Sequence, residues 1–245
     1  MTAQGRNQTG GDRPERAGSP IRTRFRTQVR DEVKAVGLRQ LSTGGPQALS
    51  LNAIARDLGV SGPALYRYFA SRDELLTDLI ADAYRDLASA LETAIAPARE
   101  LSPMDRLQAW ARAYRDWVNA EPHRYRLLFK APLPGYDAQS RRLVIASAAA
   151  MDTLLDVLAD LVPPAVIASP SALDDQLDRW AHSRGRTDIS PALGRLAVGI
   201  WARLHGLLSL EIEGNFASMG LDPALLLDSE LSALRRNDPR GSVDM

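Results

Sequence analysis

A chain of 245 residues with 45% hydrophobic content can hold one large domain, or a small domain carried on a larger one. It has no cysteine, which excludes disulfides and thiolate metal sites and fits a cytoplasmic location, and no apolar run reaches the ~18 residues of a membrane span. The formal charge is zero but uneven: residues 1–72 hold 12 Lys/Arg against 5 Asp/Glu and residues 73–245 hold 18 against 25, so the front end is the part suited to a polyanion.

Residues 1–20 are rich in Gly, Pro, Ser, Thr and Arg without an apolar period; they read as a disordered arm with no signal-peptide core. From Arg22 onward helical spacing dominates, and no run of β-branched residues alternates as a strand would. Ser50 precedes a stripe of Leu51, Ile54, Ala55 and Leu58, and Gly59 stops it. Ser61 caps a second short helix ending near Phe69. Ser71 with Glu74 is a capping-box pair opening a helix over 71–97, roughly 37 Å long. Ser102-Pro103 opens a helix to about Ala120, and further helices are expected over 124–130 and 137–161, the last stopped by Pro163-Pro164. Ser171 caps a helix to about Ser183, Ser190-Pro191 opens one over 190–213 ended by Gly214, and Asp222-Pro223 opens the last, over 222–236. About ten helices and no strand make an all-α protein. The expected organisation is an arm over 1–20, a three-helix unit over 21–70 and a larger helical domain over 71–240.

The informative stretch is 50–69. Two short helices meet at a tight turn containing Gly59, the helix-turn-helix layout. Leu51, Ile54, Ala55 and Leu58 face inward, Val60 is expected to plug the turn, and Leu65 and Phe69 bury one face of the second helix. That leaves Gly62, Pro63, Tyr66 and Arg67 outward, on a helix of a size that fits a major groove.

Here the chain resembles the DNA-binding domain of the TetR family of repressors, from roughly Arg22 to Leu79. The resemblance rests on Gly44-Gly45, Leu51-Asn52-Ala53-Ile54-Ala55, Leu58-Gly59-Val60-Ser61, Leu65-Tyr66-Arg67-Tyr68-Phe69 and Ser71-Arg72-Asp73-Glu74-Leu75-Leu76. It implies phosphate contacts from Ser50, Ser61, Tyr66, Tyr68 and Arg72, which fix register without reading sequence. Gly62, Pro63, Ala64 and Arg67 fall where the family reads bases, and of these only Arg67 has donors that can fork onto a guanine. Arg22, Arg24 and Arg26, taken to precede the first helix, are placed to enter the minor groove or follow phosphates.

The resemblance also implies a second domain with a ligand cavity, and a homodimer formed by the helices over 190–213 and 222–236. In the first of these helices Ala197, Trp201, Leu204, His205, Leu208 and Ile212 form one apolar stripe. Leu196, Ile200, Arg203, Leu207 and Leu210 form another, and two stripes need two covers. Trp201, His205 and Gly206 resemble the Trp-His-Gly signature of one C-terminal domain type in the family. The candidate cavity lining is Trp110, Tyr114, Trp117, Tyr125, Phe129 and Trp201, with His205 as polar anchor for a mostly apolar effector; the same aromatic stripe also suits a plain core. The expected mechanism is a dimer on a palindromic double-stranded operator, released when the effector moves the helix that begins at Ser71. Catalysis, a cofactor and a metal are not expected. His123, His182 and His205 are scattered, and no HExxH pair, phosphate loop, nucleophile elbow or dinucleotide fingerprint occurs. The competing reading is a helical adaptor that binds protein rather than DNA.

Overall fold

The computed structural model describes residues 20–129, 136–138, 140–162 and 171–236. The expectations for the arm before Pro20, for Lys130 and for the Pro163-Pro164 stop lie outside the described residues. Among those residues there are eleven α-helices, three single-turn 3₁₀ segments and no strand. The first four helices are α1 (Pro20–Gly44), α2 (Leu51–Asp57), α3 (Gly62–Leu65) and α4 (Arg72–Ile95). Then come α5 (Pro103–Ala120), α6 (Pro122–Phe129), α7 (Arg141–Leu158), α8 (Ala172–Ser183), α9 (Pro191–Ile212), α10 (Asn215–Ser218) and α11 (Pro223–Arg236). No helix among the described residues is long and apolar enough to cross a membrane.

Serine sets most of the helix starts. Ser50, Ser61, Ser71, Ser102, Ser171 and Ser190 each accept a hydrogen bond at Oγ from the backbone N–H three residues on. Each bond satisfies one of the donors that a helix N-terminus leaves without an intrahelical partner. The Ser71 box forms only half as expected: the Glu74 carboxylate accepts from the N–H of Ala70 instead of Ser71. The reciprocal box is at Ser171 and Asp174, which the spacing of a shorter acid still allows.

Two hydrophobic cores result. The N-terminal core joins Val33 and Val36 of α1, Leu51 and Ile54 of α2, and Leu65 and Phe69 around α3 to Leu75, Leu76 and Leu79 of α4. The C-terminal core joins Leu87 and Leu91 of the same α4 to α5, α7, α9 and α11. Helix α4, about 36 Å long, is therefore built into both, and Leu127 of α6 and Leu143 of α7 reach into the N-terminal core. Helix α4 starts just past the boundary expected at residue 70 and packs into both cores.

The elements depart from the sequence reading in four places. Helix α1 begins at Pro20, because a proline at the first helical position needs no N–H partner and nothing from Ile21 to Thr27 breaks a helix. Helix α3 is only Gly62–Leu65; Arg67 and Tyr68 continue it with i→i−3 bonds to Ala64 and Leu65. Helix α7 starts at Arg141 behind Ser140, four residues late. The short α10 was not foreseen.

Candidate nucleic-acid interface and ligand cavity

The helix-turn-helix is held from below by Ile54, Leu65 and Phe69, all close to fully buried. Gly59 turns the chain at φ +67°, a left-handed conformation that a side chain resists. Val60 does not plug the turn: its N–H bonds to Ala55 O while its side chain is exposed, and Leu58 packs against the core instead. The turn swings the chain outward one residue earlier than the apolar pattern suggests. Above this base Ser61, Pro63, Tyr66 and Arg67 are exposed, while Gly62, Ala64 and Tyr68 are half-buried. Ser50 and Ser61 spend an Oγ lone pair on capping, which leaves each hydroxyl proton free to donate to a phosphate.

The arginines before the motif are corrected in one respect. Arg22, Arg24 and Arg26 lie within α1 and do not form an extended strand of chain ahead of it. Residues four apart share a helix face, so Arg22 and Arg26 come together and line a surface groove with Phe25, Arg67 and Tyr68. Arg24 points away and sits beside Thr27, Gln28 and Asp31. Arg72 is half-buried and donates to the Pro46 carbonyl, tying the start of α4 to the turn before α2.

A residue that the sequence reading passed over binds these parts together. Asp78 of α4 is only 4% exposed and meets Arg30 of α1 and Arg142 of α7, one on each carboxylate oxygen. Arg30 also donates to the carbonyl of Tyr68, lies 3.7 Å from Glu74 and stacks over the Phe69 ring at 4.0 Å. A continuous polar chain thus runs from α7 through α4 and α1 to the backbone of the recognition segment. The available signal was a lone carboxylate within the apolar run Leu75, Leu76, Leu79, Ile80, where an unpaired charge would not be buried.

Behind this chain, α4 to α7, α9 and the end of α8 enclose a cavity of about 300 Å³. Trp110, Tyr114, Phe129 and Trp201 line it, as their spacing suggests; Trp117, Tyr125 and His205 do not. Trp117 donates its indole N–H to Asp86 at 3.0 Å. Tyr125 Oη lies 2.8 Å from His205 Nδ1 and 3.1 Å from the His205 carbonyl, so the phenol finds its partners on His205. His205 packs on Phe129 at 4.5 Å and stacks on Trp201 at 5.4 Å, backing two lining rings without facing the space. Burial lowers the His205 pKa, favouring the neutral ring, and pushes the Tyr125 phenol up to about 12. Tyr84, Trp180 and Arg184 line the cavity without having been anticipated. Among the described residues no group of His, Asp and Glu is arranged to hold a metal.

Helix α9 turns Trp201, Leu204 and Leu208 to the core of its own chain, together with Ile200, Leu196 and Leu207 of the second predicted stripe. Its outward side is Val198, Gly199, Ala202, Arg203 and Leu210, and a Cβ placed on Gly199 or Gly206 would touch nothing in this chain. Leu225 of α11 is exposed as well.

Residues 35–79 match the family described as bacterial regulatory proteins, tetR family, and residues 107–234 match the tetracyclin repressor-like C-terminal domain. The HTH-type transcriptional regulator Rv1816 of Mycobacterium tuberculosis is 33% identical over 215 residues, covering 85% of this chain and 92% of that protein. The crystal structure of regulatory protein SCO4313 superposes with a TM-score of 0.72 at 41% identity, covering 86% of this chain and 97% of that one. A protein of unknown function from Rhodococcus sp. RHA1 shares the fold, with a TM-score of 0.64 at 23% identity over 92% of this chain and 98% of that one.

Proposed function

The chain belongs to the TetR family of transcriptional regulators, not to a class of enzymes, and from that premise we propose that it is a homodimeric repressor released from a palindromic operator by a small, mostly apolar effector. The observation that carries the reading is a shared wall. Helices α4 and α7 line the cavity, and the same two helices hold the Arg142–Asp78–Arg30 chain that ends on the Tyr68 carbonyl. A ligand that prefers one spacing of α4 and α7 then prefers one position of the recognition segment.

On DNA, Arg67 reads bases while Tyr66, Tyr68, Ser50 and Ser61 hold phosphates, and Arg22 and Arg26 extend the basic surface beside Arg67. Gly62, Pro63 and Ala64 set how closely the backbone approaches the base edges, and Arg72 acts through the turn it braces. The exposed apolar side of α9, with Leu225 of α11, meets its counterpart in a second subunit, which removes it from water and sets the two recognition segments about one DNA turn apart, ~34–36 Å.

Footprinting with purified protein on the DNA flanking its own gene tests this. The expected result is a protected inverted repeat, with an affinity that falls steeply as salt rises because phosphate contacts release counterions. Protein that ignores all DNA at low salt refutes the reading.

A further inference from the structure

The cavity is mostly apolar; of its polar lining groups the Tyr84 and Ser147 hydroxyls donate to the carbonyls of Leu128 and Val144, and two others are hydrogen-bond donors lacking an acceptor. Tyr114 is 1% exposed, and its hydroxyl, near Trp201 and Tyr125, makes no well-formed hydrogen bond. Burial pushes that phenol well above its ordinary pKa, so it keeps its proton. Arg184, at the C-terminal end of α8, is the second. Its guanidinium rests on the Trp180 ring at 4.9 Å, and Nη2 is spent on the Ala148 carbonyl at 2.9 Å and on Asp152 at 2.6 Å. Nε is buried and has no partner. Asp152 does not belong to Arg184 alone, since the same oxygen also receives Arg186. Buried donors in folded proteins are nearly always paired, so two orphans among the residues lining one cavity point to a missing acceptor.

We propose that this cavity takes an apolar monocarboxylate whose head group accepts hydrogen bonds from Arg184 Nε and Tyr114 Oη while its body lies among Trp110, Phe129, Trp180 and Trp201. Each feature of the site selects part of that molecule. Arginine has donors only and a fixed positive charge, and the protonated phenol adds a second donor, so the head group must accept and gains by being anionic. The indole and phenyl walls select an alkyl or aryl body. A volume of about 300 Å³ holds roughly ten to fifteen non-hydrogen atoms at about the volume per water molecule or slightly less. The polar anchor is thus Arg184 and not His205, which does not line the cavity and whose Nδ1 is engaged by Tyr125.

This ligand class rests on the effector reading of the cavity, and the experiment separates the two. Phenylbutyrate and decanoate, with phenylbutanol and decanol as neutral partners, are titrated into the full-length dimer and followed by tryptophan fluorescence, since Trp110, Trp180 and Trp201 line the space. At least one acid should bind at least tenfold tighter than its alcohol. Tyr114→Phe removes only the orphan hydroxyl, and Arg184→Lys keeps the charge without Nε. Each should weaken the acid about tenfold and leave the alcohol within twofold. Acid and alcohol binding equally, no acid binding at 1 mM, or acid binding that ignores both substitutions overturns the proposal. Release of the footprinted DNA is scored separately. Acids that bind as described but leave DNA affinity unchanged sink the effector reading and keep the ligand class. A neutral apolar compound that releases DNA where both acids fail sinks the ligand class and keeps the effector reading.

Discussion

Changing Asp78 to Asn removes one charge and almost no volume, so its effect isolates the electrostatic knot under the recognition segment. Asp78 is 4% exposed, whereas the side chains of Arg30 and Arg142 are 22% and 50% exposed. Breaking a buried ion pair at one partner costs about 3–5 kcal/mol when the surviving charge stays buried and alone. Here Arg142 regains hydration at once, and Arg30 keeps the Tyr68 carbonyl, the Phe69 ring face and Glu74. The asparagine carbonyl still accepts from one arginine while its amide confronts the other. A loss of about 2–3 kcal/mol is therefore expected, and at ~2–4 °C per kcal/mol for a chain of this size the melting temperature should fall by about 4–12 °C. Urea unfolding followed by circular dichroism, at fixed protein concentration because subunit association would make stability depend on it, gives the number. Arg142→Ala is the control. It strips the exposed partner alone, should cost about 1 kcal/mol or less, and should blunt effector-driven release while DNA affinity persists. A loss under about 0.5 kcal/mol for Asp78→Asn refutes the view that this carboxylate braces the recognition segment.

Four more outcomes follow from the same geometry. Arg67→Ala should cost about 1–3 kcal/mol of operator binding and relax one base position, whereas Arg22→Ala should weaken all sequences alike and lower the salt slope by about 0.9, both readable by fluorescence polarisation. Gly59→Ala meets open space but must take φ +67°, so thermal unfolding should show a loss of about 1–2 kcal/mol and no gain from packing. Because burial lowers the His205 pKa below its ordinary 6.5, the unfolded chain binds more protons between the lowered value and 6.5, so stability is lost as pH falls through that window and levels off beneath it. His205→Gln should flatten that acid limb below pH 6.5 in melts. Ala202→Glu on the outward side of α9 should shift sedimentation from dimer to monomer, and a variant that still sediments as a dimer counts against that interface.

What could be read from the residue order was local. The six serine caps, the turn at Gly59 and the inward stripe of α2 are set within four residues of chain, and each forms, although only the serine half of the box expected at Ser71 does. The misses involve the third dimension. Trp117, Tyr125 and His205 sit on the right helices but face partners that only the assembled bundle supplies: Asp86 for the first, and each other for the second and third. Trp180 and Arg184 reach the cavity from α8, whose short amphipathic pattern carried no sign that its last turn bends over α7 to reach Asp152. Arg24 was grouped with Arg22 and Arg26 by proximity in sequence, a grouping that holds for an extended arm and fails on a helix, where a two-residue step points the opposite way.

Helix α4 explains why a cavity and a recognition segment can share one equilibrium without a hinge between them. If the segment at residue 70 were the only tie between the two units, they would move independently, and ligand binding would then shift nothing at the DNA. The chain instead runs a single helix from the Ser71 cap through Leu75 and Leu79 in one core to Leu87 and Leu91 in the other. Displacing the cavity end of a rod that is packed at both ends moves the other end, because packed cores switch between arrangements more readily than they stretch. Leu127 and Leu143 add two further points where the C-terminal helices press on the N-terminal core. The size of the coupling then depends on how differently a ligand contacts the two arrangements, and Tyr114 on α5 and Arg184 beyond α8, both lining the cavity with residues of α4, are where such a difference can be made.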